Sequence, residues 1–123
     1  LRLNLRPTYL VCQAALPHLL EAGGGAVVCV SSQAARRPFP GAAGYITSKN
    51  AVLGLVGALD AEYRTKGVRV NAILPSMIDT PANRAAQPDA DRTGWVPPER
   101  IAEVVTWLCG PRSSAVSGAE VPV

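Results

Sequence analysis

Two short runs rich in apolar residues constrain this chain more than any other feature. Ala26-Val27-Val28-Cys29-Val30 and Val68-Arg69-Val70-Asn71-Ala72-Ile73-Leu74 are rich in β-branched residues. The first shows no polar alternation at all. Such a run fits a strand covered on both faces, as in a parallel sheet, better than a strand with one wet face. Parallel neighbours need a crossover connection, and helical patterns lie in the right places to supply it.

Leu1 to about Glu21 reads as a first helix. Leu3, Tyr9, Leu10, Cys12, Ala14, Leu16 and Leu20 recur at steps of three and four, and Pro17 should kink or loosen it. Gly23-Gly24-Gly25 ends it. Tyr45 to about Lys66 reads as a second helix, with Ala51, Val52, Leu55, Val56, Leu59 and Tyr63 on one stripe and Gly67 as its stop. Glu99 to about Leu108 is a third, with Pro98 near its start and Gly110-Pro111 beyond its end. Val121-Pro122-Val123 begins a last strand. Ser31–Gly44 reads as a loop. Ser76–Pro98 is polar, holds four prolines and is too long for a simple connector, so it reads as a functional flap or a poorly ordered segment. The order α-β-α-β-α-β predicts an α/β fold, part of a doubly wound, Rossmann-like parallel sheet with flanking helices.

Composition narrows the functional classes. The net charge is +3, the basic residues are scattered and Arg36-Arg37 is their only adjacent pair. With so few aromatics there is no stacking platform, which argues against nucleic acid as a partner. No apolar run approaches the ~20 residues that span a bilayer, so no membrane partner is expected. Three cysteines, Cys12, Cys29 and Cys109, sit in apolar surroundings without CxxC spacing. They read as buried free thiols of a reducing compartment, and the expected localisation is cytoplasmic, with no signal peptide. No set of His, Cys and carboxylate spacings predicts a metal site.

Tyr45 and Lys49 stand four apart at the head of the second helix and share a face. An unperturbed phenol titrates near ~10, too high for acid/base work at neutral pH, and a neighbouring ammonium favours its ionised form. YxxxK alone is a common accident on helices. Ser31-Ser32 adds context, because it ends a buried strand at the edge where open α/β sheets place ligands. Ser32 lies thirteen residues before Tyr45, across one loop. It either meets the same substrate oxygen as Tyr45 or merely caps a turn.

These segments together resemble the short-chain dehydrogenase/reductases. The resemblance is carried by Gly25–Ser32, by Tyr45-Ile46-Thr47-Ser48-Lys49, by Val68–Pro75 and by Ile78-Asp79-Thr80-Pro81. Leu3-Asn4-Leu5 looks like the family's catalytic asparagine segment. Val104–Leu108 and Ser117–Val123 match its last helix and strand. The resemblance implies an NAD(P)-dependent oxidoreductase acting on a carbonyl or alcohol. It implies catalytic roles for Asn4 in positioning water, for Ser32 in bonding the substrate oxygen, for Tyr45 as proton donor or acceptor and for Lys49 beside it. It implies that Tyr45, Lys49, Pro75, Ile78 and Thr80 meet the cofactor, NAD or NADP. The physics agrees, since such a site needs a cation near a phenol and a donor aimed at developing oxyanion charge.

Ser76 departs from the family's frequent glycine after the proline. The family's N-terminal glycine-rich loop has no counterpart here. Gly23-Gly24-Gly25 leaves a helix and enters a strand, the reverse of the order that puts phosphate at a helix N-terminus. The chain opens on Leu1 and not Met, so residues 1–123 are expected to be the C-terminal catalytic part of a longer Rossmann-fold domain, truncated, with Ala26–Val30 as an edge strand and with weak NAD(P)H binding on their own. A non-catalytic remnant serving as a dimerising or interaction module is the competing reading. An epimerase or dehydratase of the extended branch is a third, disfavoured by Pro75–Thr80 and the short C-terminus. The flap residues Asp79–Arg84, Pro88–Asp91 and Trp95 are similar to those of the dihydropteridine reductases, which do without the family serine.

Other residues carry weaker expectations. His18 reads as a helix-end residue, Trp107 as core and Trp95 as packing in the flap. Arg36 and Arg37 could meet an anionic substrate or be solvated; solvation is the commoner fate of loop charges. Apolar residues on more than one face of the first two helices predict a homo-oligomer.

Overall fold

The computed structural model describes residues 1–123. The elements in chain order are α1 (Arg6–Glu21), β1 (Gly25–Val30), α2 (Ala43–Tyr63), β2 (Val68–Leu74), α3 (Pro81–Ala86), α4 (Pro98–Cys109) and β3 (Glu120–Pro122). The three strands form one parallel sheet in the order β1-β2-β3. The predicted α/β architecture holds, and β1 lies at a sheet edge as expected.

β2 is the central strand, and its burial explains its apolar character: Val68, Val70, Ala72 and Ile73 are fully buried. Its alternate residues divide the molecule into layers. Val68, Val70, Ala72 and Leu74 pack in one cluster with Cys12 and Leu16 of α1 and with Val52, Leu53 and Val56 of α2. Arg69 and Asn71 turn to the other face. There Arg69 donates to the carbonyls of Gly110, Ser113 and Val116, and Asn71 donates to Val116, in the segment following α4. Helices therefore cover both faces, which is the doubly wound arrangement.

The register begins at a contact between two glycines. Gly25 N–H donates to the Gly67 carbonyl at 3.1 Å, and Gly25 pairs with Val68. Gly67 takes φ +85°, and a Cβ on Gly24 would lie 2.6 Å from the Gly67 oxygen. The two chain reversals that start β1 and β2 touch backbone to backbone, which only side-chain-free residues permit.

Several boundaries differ from the sequence expectation. α1 starts at Arg6, not Leu1; Pro7 occupies the first helical turn, where its missing N–H costs nothing. The same helix runs through Pro17 to Glu21. The Ser31–Gly44 loop contains a short 3-10 turn, Gln33–Ala35. The flap is ordered. It holds α3, and a parallel bridge between Ile78 and Val96 pins its two ends, with Asp79 N–H donating to the Val96 carbonyl at 2.8 Å.

Two expectations of burial fail. Trp107 is 44% exposed, and Cys109 is exposed. On α4 the inward stripe is Ile101, Val104, Val105 and Leu108, and helical spacing carries Trp107 away from it and Cys109 to its margin. Cys12 and Cys29 are buried free thiols, and the hydrogen bond with Cys12, reinforced by burial, pushes the Cys29 thiol up. No helix is long and apolar enough to cross a membrane.

Candidate active site

The carboxyl ends of β1 and β2 open into a cavity of about 530 Å³. This is where parallel sheets expose chain ends and helix starts rather than filled layers. Five of the residues singled out in the sequence line it: Ser32, Tyr45, Lys49, Pro75 and Ile78.

Each is placed by a local cause. Ser32 follows the last residues of β1 and caps the 3-10 turn, its Oγ accepting from Ala34 N–H at 3.1 Å. The turn-capping role is therefore real. It uses an oxygen lone pair and leaves the hydroxyl proton free to be donated into the cavity. Ser31 is buried and turns the other way, its hydroxyl donating to the Lys49 carbonyl at 2.8 Å. That bond fastens the end of β1 to the first turns of α2.

Tyr45 and Lys49 lie one turn apart on α2. The Tyr45 side chain is 43% exposed, and the Lys49 ammonium stands 5.9 Å from the centre of its ring. Lys49 Nζ also donates to the Val30 carbonyl at 3.2 Å, which swings the lysine across the gap between α2 and the tip of β1. Desolvation lowers the Lys49 pKa below the ordinary lysine value. Pro75 follows the last residue of β2 and Ile78 lies near the start of the flap, so the opposite wall comes from the next strand.

Asn4 and Thr80 stand apart from this cavity. Asn4 borders a neighbouring depression with Tyr45 and Ser48, and its Nδ2 donates to Ser48 Oγ at 3.1 Å. Ser48 is fully buried and in turn donates to the Tyr45 carbonyl at 2.7 Å. Asn4 thus reaches the helix that carries Tyr45 through one hydroxyl. Thr80 caps α3, its Oγ1 accepting from Asn83 N–H at 3.1 Å.

Sequence reasoning did not single out Gln33, Phe39, Met77 or Asn83, all of which line the cavity. Nothing local marks them. Phe39 and Met77 enter because the Ser32 loop and the flap face each other, a long-range fact. Asn83 is held by Nδ2 donation to the Ile78 carbonyl at 2.8 Å. The two arginines divide. Arg36 forms a two-pronged pair with Glu120 at the start of β3 and a bond to Asn50, so it is not simply solvated. Arg37 lines the cavity.

Comparison with known proteins adds the following. The family model described as enoyl-(acyl carrier protein) reductase matches residues 1–123. The chain is 37% identical to 2-(R)-hydroxypropyl-CoM dehydrogenase of Xanthobacter autotrophicus, over 94% of this chain and 50% of that protein. It is 35% identical to dehydrogenase/reductase SDR family member 4 of Bos taurus, over 100% of this chain and 48% of that protein. Among solved structures, a short-chain type dehydrogenase/reductase from Mycobacterium ulcerans superposes with a TM-score of 0.92 at 27% identity, covering 98% of this chain and 48% of that one. A 3-oxoacyl-[acyl-carrier protein] reductase with bound NAD from Brucella melitensis superposes with a TM-score of 0.83 at 33% identity, covering 98% and 47%. The chain spans about half the length of the curated relatives it matches.

Proposed function

The chain belongs to the short-chain dehydrogenase/reductase family, and from that premise we propose that it is the catalytic part of an NAD(P)-dependent oxidoreductase that interconverts a carbonyl and an alcohol. The observation that carries this reading is the convergence of Ser32, Tyr45 and Lys49 on one cavity at the carboxyl end of a parallel sheet.

The residues act as follows. Ser32 donates its free proton to the substrate oxygen and holds it beside Tyr45. Tyr45 delivers a proton to that oxygen as carbonyl becomes alcohol, or removes it in the reverse direction. Lys49 places a positive charge against the ring, which stabilises the phenolate as it forms. Asn4 supports the helix of Tyr45 through Ser48 and, from the neighbouring depression, positions water for a proton relay.

The residues present suit a nicotinamide cofactor. Lys49 retains donors beyond its bond to Val30, and Pro75 and Ile78 form an apolar wall opposite it. Tyr45, Lys49, Pro75 and Ile78 would hold the nicotinamide end, with Thr80 farther along the same segment. When bound, the cofactor supplies or accepts the hydride. Residues 1–123 make up the C-terminal part of the domain in this reading.

The reading extends to a cytoplasmic homo-oligomer joined through the first two helices. Tyr9, Leu10 and Val11 of α1 are left exposed, and three free thiols suit a reducing compartment.

The test is turnover. The whole protein that carries these residues should oxidise NAD(P)H in the presence of a carbonyl substrate, and Tyr45→Phe should abolish it while leaving the melting temperature in place. A Tyr45→Phe protein with undiminished turnover would end the reading.

A further inference from the structure

The cavity is one-sided in charge. Of its fourteen lining residues only Arg37 and Lys49 are charged, and none is acidic. Lys49 donates to the Val30 carbonyl and lies over the Tyr45 ring, and its remaining donors serve the cofactor in the proposed function. Arg37 is different. It is exposed, and its guanidinium enters none of the ion pairs of the fold, which are Arg36–Glu120, Arg64–Asp60, Arg84–Asp79 and Arg100–Glu103.

The contrast with its neighbour is informative. Arg36 is neutralised by Glu120 and tied to Asn50, which draws it toward the β3 side. Arg37 is left with its donors unspent. Its backbone is nevertheless fixed, because its N–H donates to the Gln33 carbonyl at 2.9 Å and closes the turn that Ser32 caps. A held backbone limits the ordering cost of using the side chain. Asp79 of the facing flap is occupied by Arg84 at 2.5 and 2.8 Å.

We propose that Arg37 is a specificity residue that binds an anionic group on the substrate, so that the preferred substrate is a carbonyl or alcohol with an apolar body and a carboxylate-like terminus. Phe39, 54% exposed and on the same rim, provides the apolar contact. The planar guanidinium fork matches the two oxygens of such a terminus. Arg37 leaves the loop of Ser32, five residues on, and so belongs to the wall that meets the substrate oxygen, whereas Pro75 and Ile78 form the facing one. This inference deepens the proposed function and rests on it.

The experiment compares 4-formylbenzoate with its uncharged methyl ester. Their binding to the whole protein is measured by calorimetry with the oxidised cofactor present, so that no turnover occurs. The anion should bind about fivefold more tightly than the ester, as a partly exposed charge-assisted pair allows, and rising salt should narrow the gap. Arg37→Met should bring the ratio of the two affinities to about one, while Arg37→Lys keeps part of the preference. Melting curves check that each variant is folded. An anion that fails to outbind the ester, whether both bind or neither does, overturns the inference, and so does a preference that survives in Arg37→Met. Turnover of the ester by the unmodified protein judges the oxidoreductase reading separately, so the two can fail independently.

Discussion

The Lys49 ammonium lies 5.9 Å from the centre of the Tyr45 ring and at the same time donates to the Val30 carbonyl at 3.2 Å. One side chain thus connects the head of α2 to the last residue of β1. The carbonyl fixes where the charge sits, and burial penalises the charge for being there.

That penalty gives a pH signature. The folded pKa of Lys49 is depressed below 10.5, so between the lowered value and the ordinary one the unfolded chain binds more protons than the folded one. Stability then rises with pH across that window, and below it the cost of the buried charge is fully present. Relative to Lys49→Met, the unmodified protein should therefore gain stability on going from about pH 8 to about pH 11. Urea unfolding at the two pH values reads this difference directly. A gap that stays flat, or that closes in the opposite sense, would show that Lys49 is not desolvated.

Ser32 carries two separable loads. Its oxygen caps the turn at Gln33–Ala35, and its proton is free for the cavity. Ser32→Ala should cost about 1 kcal/mol of stability, the usual worth of such a cap. Under the proposed function it should also lower kcat by about a hundredfold or more, as loss of an oxyanion donor does. Ser32→Gly should restore most of the stability and none of the rate, since glycine is tolerated at caps. Equilibrium unfolding and steady-state kinetics together separate the two loads.

Local pattern made the elements legible, and long-range geometry set the limits of what could be read. The runs rich in β-branched residues identified β1 and β2, although β2 also carries Arg69 and Asn71 and Val30 at the end of β1 is exposed. The Tyr45–Lys49 pair was legible because four residues is one helical turn. By contrast, the pairing of Arg36 with Glu120 joins residues 84 positions apart, and the bond from Asn4 to Ser48 spans 44. Neither has a local signal. Trp107 was misread for a different reason: hydrophobicity favours burial, but the stripe through Leu108 had already filled the inward face of α4. The order within the flap was hidden because its fastening, the bridge from Ile78 to Val96, crosses a polar, proline-rich stretch.

The glycine contact at the base of the sheet predicts two unequal penalties. At Gly67, φ +85° is unfavourable for any residue with a Cβ, and alanine should cost about 1–2 kcal/mol there. At Gly24 an alanine Cβ would also meet the Gly67 oxygen at 2.6 Å, and that atom is backbone already bonded to Gly25 N–H. Gly24→Ala should be the more destabilising, because relief requires the paired starts of β1 and β2 to shift together. Denaturant midpoints for both variants rank them. A harmless Gly24→Ala would mean that the two reversals do not touch in solution.

Asp60 completes a second tie, between α2 and the approach to β3. Its Oδ1 accepts from Ser117 Oγ and from Arg64 Nε, and its Oδ2 accepts from Arg64 Nη2. Ser117 Oγ accepts in turn from Val70 N–H at 3.1 Å, so the chain of bonds ends on the central strand. Gly118 has to be glycine for this to fit, since a Cβ there would stand 2.5 Å from Asp60 Oδ2. The Arg64 guanidinium, with help from Ser117, holds the Asp60 carboxyl below its ordinary value of 3.8, against a smaller opposing effect of burial. A depressed carboxylate contributes stability that is present above its unfolded pKa and is lost as pH falls through the folded one. Asp60→Asn should therefore destabilise the protein by about 1 kcal/mol at neutral pH, a modest figure because Arg64 is largely exposed and the amide still accepts one bond. The difference between the two proteins should shrink as pH falls below the ordinary aspartate value of 3.8 and through the lowered folded one, where the carboxylate is protonated. Unfolding measured at neutral and at acid pH decides it: a penalty that persists unchanged in acid would assign Asp60 a packing role and remove the charge from the account.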